Sequence, residues 1–221
     1  MKPGLESINN IIVIQARMGS SRLPGKVLMP IGNIPMLLFL IRRLENIFLK
    51  KDIIIATSIR TENDAIVDLC EKSEVQVFRG DELNVYERYS SICTKYDTDN
   101  IIRLTADNPA LNPSTVKSCI ESHLESHSKY TSTRKIEHHK ITRYTPKGNS
   151  IDIISKEAFS LANKEDLSDY DKEHVIPVFY RIINDINYFR DNPKGENSQN
   201  MSIDTQEDYL RVSELLKNEQ T

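Results

Sequence analysis

Between Ile11 and Pro30 the chain reads IIVIQARMGSSRLPGKVLMP, and no other stretch limits its possible folds so strongly. Ile11 to Ile14 form an apolar run with no polar face, the pattern of a parallel-sheet strand covered on both sides. Gln15, Ala16 and Arg17 follow at once, then a small-residue loop, Gly19-Ser20-Ser21, and then Arg22, Pro24, Gly25 and Lys26. A loop of this kind after a buried strand offers unobstructed backbone N–H groups and fixed positive charge, which is what a polyphosphate requires. It is not a P-loop, because five residues separate Gly19 from Gly25 and Val27 stands where a magnesium-binding Ser or Thr would follow the lysine. A G-x-G-x-x-G dinucleotide fingerprint is absent as well.

Strands and helices alternate up to about residue 127. A helix opens after Pro35, with Met36, Leu37, Leu40, Ile41, Leu44, Ile47 and Phe48 on one face. Strands at 52–57, 75–78 and 101–105 alternate with helices at 61–72, 84–96 and 113–126, the last announced by Asn112-Pro113. Ala65, Ile66 and Leu69 point inward in the second helix. The alternation predicts an open, mostly parallel sheet with crossover helices. Later segments break it: short strands at 130–133, 141–144 and 151–154, helices at 156–163 and 173–184, and strands near 186–189 and 201–204. A terminal helix after Thr205 turns Leu210, Leu215 and Leu216 to the core. Residues 1–10 read as a loose extension, 191–200 as disordered, and 11–221 as one domain whose 129–190 section is a mixed hairpin and helical addition.

Function classes drop out on charge and composition. A net charge of −3 with pI near 6.0 lacks the basic excess of a nucleic-acid-binding surface. No apolar run reaches the roughly 18 residues of a membrane span, and MKPGLESINN lacks the apolar centre of a signal peptide. Cys70, Cys93 and Cys119 are too few and too scattered for a disulfide framework or zinc site, so a reduced, cytoplasmic setting is expected. His123 and His127 read as a solvent-facing pair, Asp97-Thr98-Asp99 as a turn, and His138-His139 as part of a polar hairpin. No Ser-His-Asp or Cys-His arrangement is legible.

Open parallel sheets bind ligands beyond the carboxyl ends of their strands. Asp107 follows the 101–105 strand and Asp204 ends the last short strand, both placed to hold a divalent metal. Mg²⁺ takes only one or two carboxylates and completes its shell with substrate phosphates and water. A cationic loop with two such acids outlines a metal-assisted phosphoryl or nucleotidyl transfer site.

The run from Gln15 to Leu28 resembles the opening motif of the cytidylyltransferase family that includes spore coat polysaccharide biosynthesis proteins, akin to the acylneuraminate and CMP-Kdo synthetases. The similarity recurs in order at Ile55-Ala56-Thr57-Ser58, Val77-Phe78-Arg79-Gly80, Val85-Tyr86-Glu87-Arg88-Tyr89, Arg103 to Pro109, Glu173-His174-Val175 and Ile203 to Asp208. The resemblance implies a Rossmann-like three-layer α/β/α nucleotidyltransferase fold with a mostly parallel sheet and a small mixed extension. It implies CTP held by Ala16, Arg17, Gly19, Ser20, Arg22 and Lys26, with Ala56, Thr57, Arg79, Arg88 and Arg103 near the nucleotide. Mg²⁺ would lie between Asp107 and Asp204. Arg17, Lys26 and Asp107 would carry catalysis, and Asn108, Ser150, Asp152, Glu173 and His174 the acceptor. The implied reaction transfers CMP to a sugar acid for surface-polysaccharide synthesis and releases pyrophosphate. A homodimer through 129–154 and 174–190 is expected on the same ground.

The chain departs from that pattern at Ala106, where glycine is usual, and at Asn108 and Asn112. The family's G-L-D-V-E segment appears as Gly148-Asn149-Ser150-Ile151-Asp152, so Ser150 takes an acid's place and Asp152 that of the glutamate. Two other readings stay open: a sugar-1-phosphate nucleotidyltransferase using GTP or another triphosphate, and a nucleotide-binding module without turnover.

Overall fold

The computed structural model describes residues 8–137, 140–191 and 199–218. Ile11–Ile14 sit at the centre of the first strand, β1 (Asn10–Gln15), and are buried on both faces. β1 pairs in parallel with β4 (Ile53–Ser58) on one side and β6 (Asn100–Thr105) on the other, and β5 (Gln76–Gly80) extends the β4 edge. The chain runs from β1 outward to β5 and returns across β1 to β6, so the order of strands reverses between β1 and β6. Such a reversal opens a crevice at the carboxyl ends of the two strands.

Residue parity along these strands sends side chains to two cores. Ile12, Ile14, Ile53, Ile55, Ile102 and Leu104 face one side; Ile11, Val13, Ile54, Ala56 and Ile101 face the other. The first face is covered by α1 (Met36–Glu45), α2 (Asp64–Lys72), α4 (Pro113–Ser126) and α8 (Gln206–Asn218). The second is covered by α3 (Val85–Lys95), α5 (Lys156–Ala162) and α7 (Pro177–Ile182). The α/β fold with a mostly parallel sheet is as expected. Caps follow the local chemistry: Asn84 accepts from the Glu87 amide at the start of α3, and Asn112 from the Ser114 amide ahead of Pro113.

Beyond α4 the sheet becomes mixed. β10 (Asp152–Ser155) lies antiparallel to β6, β7 (Tyr130–Ser132) antiparallel to β10, and β11 (Asn187–Tyr188) closes that edge. A separate hairpin, β8 (Arg134–Glu137) with β9 (Lys140–Arg143), stands off the sheet, and β9 is exposed throughout. A second small ribbon, β2 (Pro30–Ile31) with β3 (Ile34–Pro35), packs under α8. Neither β8 nor this ribbon is expected from the sequence, because both are too short to show a period.

Several expectations are corrected. The helix expected at 173–184 is two helices, α6 (Asp169–His174) and α7, because Val175 takes φ 69° and Pro177 has no amide to continue the ladder. Residues 201–204 are no strand: the Met201 amide donates to the Lys147 carbonyl at 2.7 Å and the Ile203 amide to that of Asp107 at 2.8 Å. In α8 the inward residues are Val212 and Leu216, while Leu210 and Leu215 face solvent. α1 ends at Glu45, which leaves Ile47 outside its buried face, and Ala65 of α2 is exposed where Ile66 and Cys70 are buried.

His123 is no solvent-facing residue. It is buried between the Thr131 hydroxyl (2.7 Å) and the Asn100 side chain (3.1 Å), and burial pulls its pKa down to about 4. The three cysteines are free and buried, and burial pushes the Cys70 thiol up to about 12 and Cys93 up to about 11. Such thiols are inert packing groups. Among the described residues no helix is long and apolar enough to cross a membrane. His138, His139 and residues 192–198 lie outside the described residues.

Candidate active site

The loop after β1 is shaped by its own backbone. Gly25, at φ 70°, donates its amide to the Met18 carbonyl at 2.9 Å and turns the chain into the short helical turn Lys26–Leu28. The Met18 amide is held by Asn63 at 2.8 Å, itself fixed by Ser58 at 2.7 Å, so the end of β4 anchors the loop. The folded-back loop aims Lys26 inward under the crevice between β1 and β6.

There the Lys26 ammonium lies 3.2 Å from Asp107 and 3.2 Å from Asp204, and donates to the Ile203 carbonyl at 2.7 Å. Arg22 reaches Asp204 at 3.4 Å, and Lys147 reaches its other oxygen at 3.1 Å. Burial works against the charge of Asp204, but Lys147 and Lys26 together hold its carboxyl below the usual carboxylate range. Asp107 is oriented by the Thr105 hydroxyl at 2.6 Å, which in turn accepts from Asn108 at 2.8 Å. Two carboxylates from distant parts of the chain thus converge on one cation. That pair of hard oxygen donors suits Mg²⁺, which takes only one or two protein carboxylates. No group of three or more His, Cys, Asp or Glu able to hold a metal occurs among the described residues.

A cavity of about 280 Å³ lies above this cluster, floored by Gln15, Ala16 and Thr105 and rimmed by Arg17, Ser20 and Arg22. Arg17 leans outward toward Glu82 at 3.6 Å. A second cavity of about 170 Å³ opens on the far side of Asp107 and Asp204, against Arg134, Arg143, Lys147 and Ser150.

Ala56 and Thr57 are buried at the end of β4 and line neither of these two cavities, and Arg79 ties the next loop through Ser58, Arg60 and Asp64. Arg88 is 1 % exposed beneath Glu82, its Nε and Nη1 unpaired, and burial lowers its pKa. Arg103 bridges Gln15 and Asp152, each at 3.2 Å.

The structure corrects the expectation that Asp152 touches the acceptor. Asp152 is 1 % exposed and lies below the second cavity, accepting from Arg134 (2.6 Å), Arg103, Ser132 (2.8 Å) and Tyr130 (2.9 Å). Burial opposes its charge, yet Arg134 and Arg103 hold its carboxyl below the usual range. It ties two arginines together from below. Glu173 and His174 are exposed on α6, where the His174 ring packs on Tyr170 at 4.3 Å, and neither lines either of these two cavities.

Sequence reasoning missed Thr105, Lys147, Arg134 and Arg143. Only Lys147 carries a legible signal, the glycine after it: Gly148 has φ 110°, and a Cβ there would meet the Met201 backbone at 2.8 Å. That close approach is what brings Lys147 to Asp204.

Comparison with known proteins agrees with this geometry. Residues 11–221 match the family model described as cytidylyltransferase. The chain is 33% identical over 215 residues to the spore coat polysaccharide biosynthesis protein SpsF of Bacillus subtilis, covering 94% of this chain and 87% of that one. A cytidylyltransferase from Leptospira borgpetersenii superposes with a TM-score of 0.81 at 23% identity, covering 96% of this chain and 95% of that one. A CMP-2-keto-3-deoxy-manno-octonic acid synthetase complexed with CTP shares the fold, with a TM-score of 0.69 at 16% identity over 96% and 99% of the two chains. The chain belongs to the cytidylyltransferase family.

Proposed function

We propose that the protein transfers CMP from CTP to a sugar acid for polysaccharide synthesis, with Mg²⁺ bound by Asp107 and Asp204. The observation that carries this reading is the convergence of Asp107 and Asp204 on Lys26 at 3.2 Å, directly below the cationic loop. An acceptor hydroxyl attacks the α-phosphorus, the bond to the β-phosphate oxygen breaks, pyrophosphate leaves, and the hydroxyl proton passes to solvent. Bound Mg²⁺ supplies charge neutralisation and alignment for in-line displacement.

The chain's own groups do the rest. Arg17 and Arg22, exposed at the rim, meet the triphosphate and direct it inward. Lys26, held by two acids and a carbonyl, is preorganised to stabilise negative charge growing on the transferred phosphate. Thr105 keeps Asp107 turned to the crevice. The SpsF relative points to polysaccharide synthesis, and the CTP-bound structural neighbour supports CTP as donor.

The test is a thermal-shift panel of CTP, GTP, ATP, UTP and NAD, each with and without Mg²⁺, since binding to the native state raises the melting temperature by mass action. A Mg²⁺-enhanced shift with CTP above the others is expected. A preference for GTP moves the donor assignment, and no response to any triphosphate overturns the loop at 17–26 as the site.

A further inference from the structure

The hairpin of β8 and β9 places Arg134 and Arg143 directly opposite one another. Like charges in that position oppose each other across the ladder. Arg134 has a partner in Asp152 at 2.6 Å, but Arg103 shares the same carboxylate at 3.2 Å. Among the described residues Arg143 reaches the neutral Ser150 hydroxyl, at 3.2 Å, and no acid. Three guanidinium groups therefore stand against one acid. Lys147, on the same rim, is already engaged by Asp204.

These guanidinium groups face the second cavity, whose other wall is Asp107, Asn108 and Asp204, the two acids being engaged by Lys26 and Lys147. The Nε atoms of Arg134 and Arg103 are buried without a partner. Partial desolvation of its exposed side chain, and then the nearby charge of Arg134, lower the pKa of Arg143. An oxyanion seated between the two opposed arginines would relieve their mutual repulsion, and guanidinium groups are shaped to bind carboxylate or phosphate in a fork.

We propose that Arg143, which Ser150 leaves without an acidic partner, selects the acceptor by gripping its carboxylate or phosphate against Arg134, beside the metal-binding acids. This rests on the nucleotidyl-transfer reading above and adds the feature by which the acceptor is recognised. Asp152 acts from below as a positioning residue that sets the Arg134 fork. Ser150 contributes by being neutral: a carboxylate at that position would occupy Arg143 and close the clamp.

The test follows the Arg134 and Arg143 Nε–H resonances of the ¹⁵N-labelled full chain during titration with three probes. These are N-acetylneuraminate, its uncharged methyl ester, and inorganic phosphate. Saturable shifts of both resonances with the free acid or with phosphate are expected, and the one that acts identifies the source of the oxyanion. The ester should leave them unmoved. Ser150→Asp and Arg143→Gln, both on the solvent side of the fold, should weaken the response by about tenfold or more. Arg143→Lys keeps the charge without the fork and should restore part of it.

The proposal is overturned if neither anion moves these resonances, if the ester moves them equally, or if Ser150→Asp binds as well as the parent. Melting with Mg²⁺ and CTP on the same samples separates the two readings. A retained CTP shift with no anion response removes the clamp alone, whereas loss of the CTP shift removes the transfer reading.

Discussion

The first 127 residues and the section from 130 to 155 both bring cations and acids together, but they carry them differently. In the first region charges sit in loops beyond the strands: Arg17, Arg22 and Lys26 after β1, and Asp107 after β6. The centres of those strands are apolar and complete without the loop side chains. In the second region charges sit at or within strands and point inward, as Asp152 and Arg134 do, and they draw in Arg103 of β6. There the ionic network is part of the sheet's packing. Loop-borne charge is free to serve chemistry at little cost to folding, whereas strand-borne charge binds function and stability together.

That contrast is broken most directly at Asp152. Asp152→Ala removes the shared acid from beneath two arginines, and loss of one partner from a buried ion pair costs about 3–5 kcal/mol. Urea denaturation should show a loss of that size. A stability near that of the parent would mean that the network contributes nothing to the fold.

Lys26→Ala sharpens the other side. Removing one preorganised donor to developing charge costs about 10²–10³ in kcat, or about 2.7–4 kcal/mol in barrier. The same variant should lose less stability than Asp152→Ala, because Lys147 and Arg22 still partner Asp204. Pyrophosphate release and calorimetry on one preparation give both numbers; near-parental turnover would remove Lys26 from the chemistry.

His123 lies at the seam between the regions, joining α4 to Thr131 of β7 and Asn100 of β6. Its folded pKa of about 4 is below its ordinary value of 6.5, so the unfolded chain binds the proton first as pH falls. Stability should therefore be full above about pH 6.5 and decline toward pH 4, by about 3 kcal/mol at most. Asp152 and Asp204, whose folded pKa values are depressed, add their losses lower still, below the ordinary aspartate range. His123→Gln should flatten the decline between pH 6.5 and 4 in denaturant titrations. An unchanged slope would place its origin elsewhere.

Legibility followed the same division. The apolar runs at Ile11–Ile14 and Ile53–Ile55 announce parallel strands because burial on both faces leaves no polar position to confuse the pattern. Lys26, Asp107 and Asp204 were readable as candidates because they lie in a loop after a strand or end an extended segment. Arg134 and Arg143 were not, since a hairpin of four-residue strands shows no dependable period and its partner register is invisible in a linear string. Asp152 was readable as an acid near the acceptor, but not as a buried one, because burial depends on Tyr130, Ser132 and two arginines closing over it.

Residue order alone determined the parallel α/β core, the cationic loop and the family, since these rest on hydrophobic period and short-range spacing. Only the tertiary structure decided that Lys26 sits between acids 81 and 178 residues away in sequence. It also decided that residues 201–204 bridge two loops instead of forming a strand, and that Arg143 is left without an acid. Those outcomes depend on which distant backbone groups find one another, and on charges whose balance is set in space.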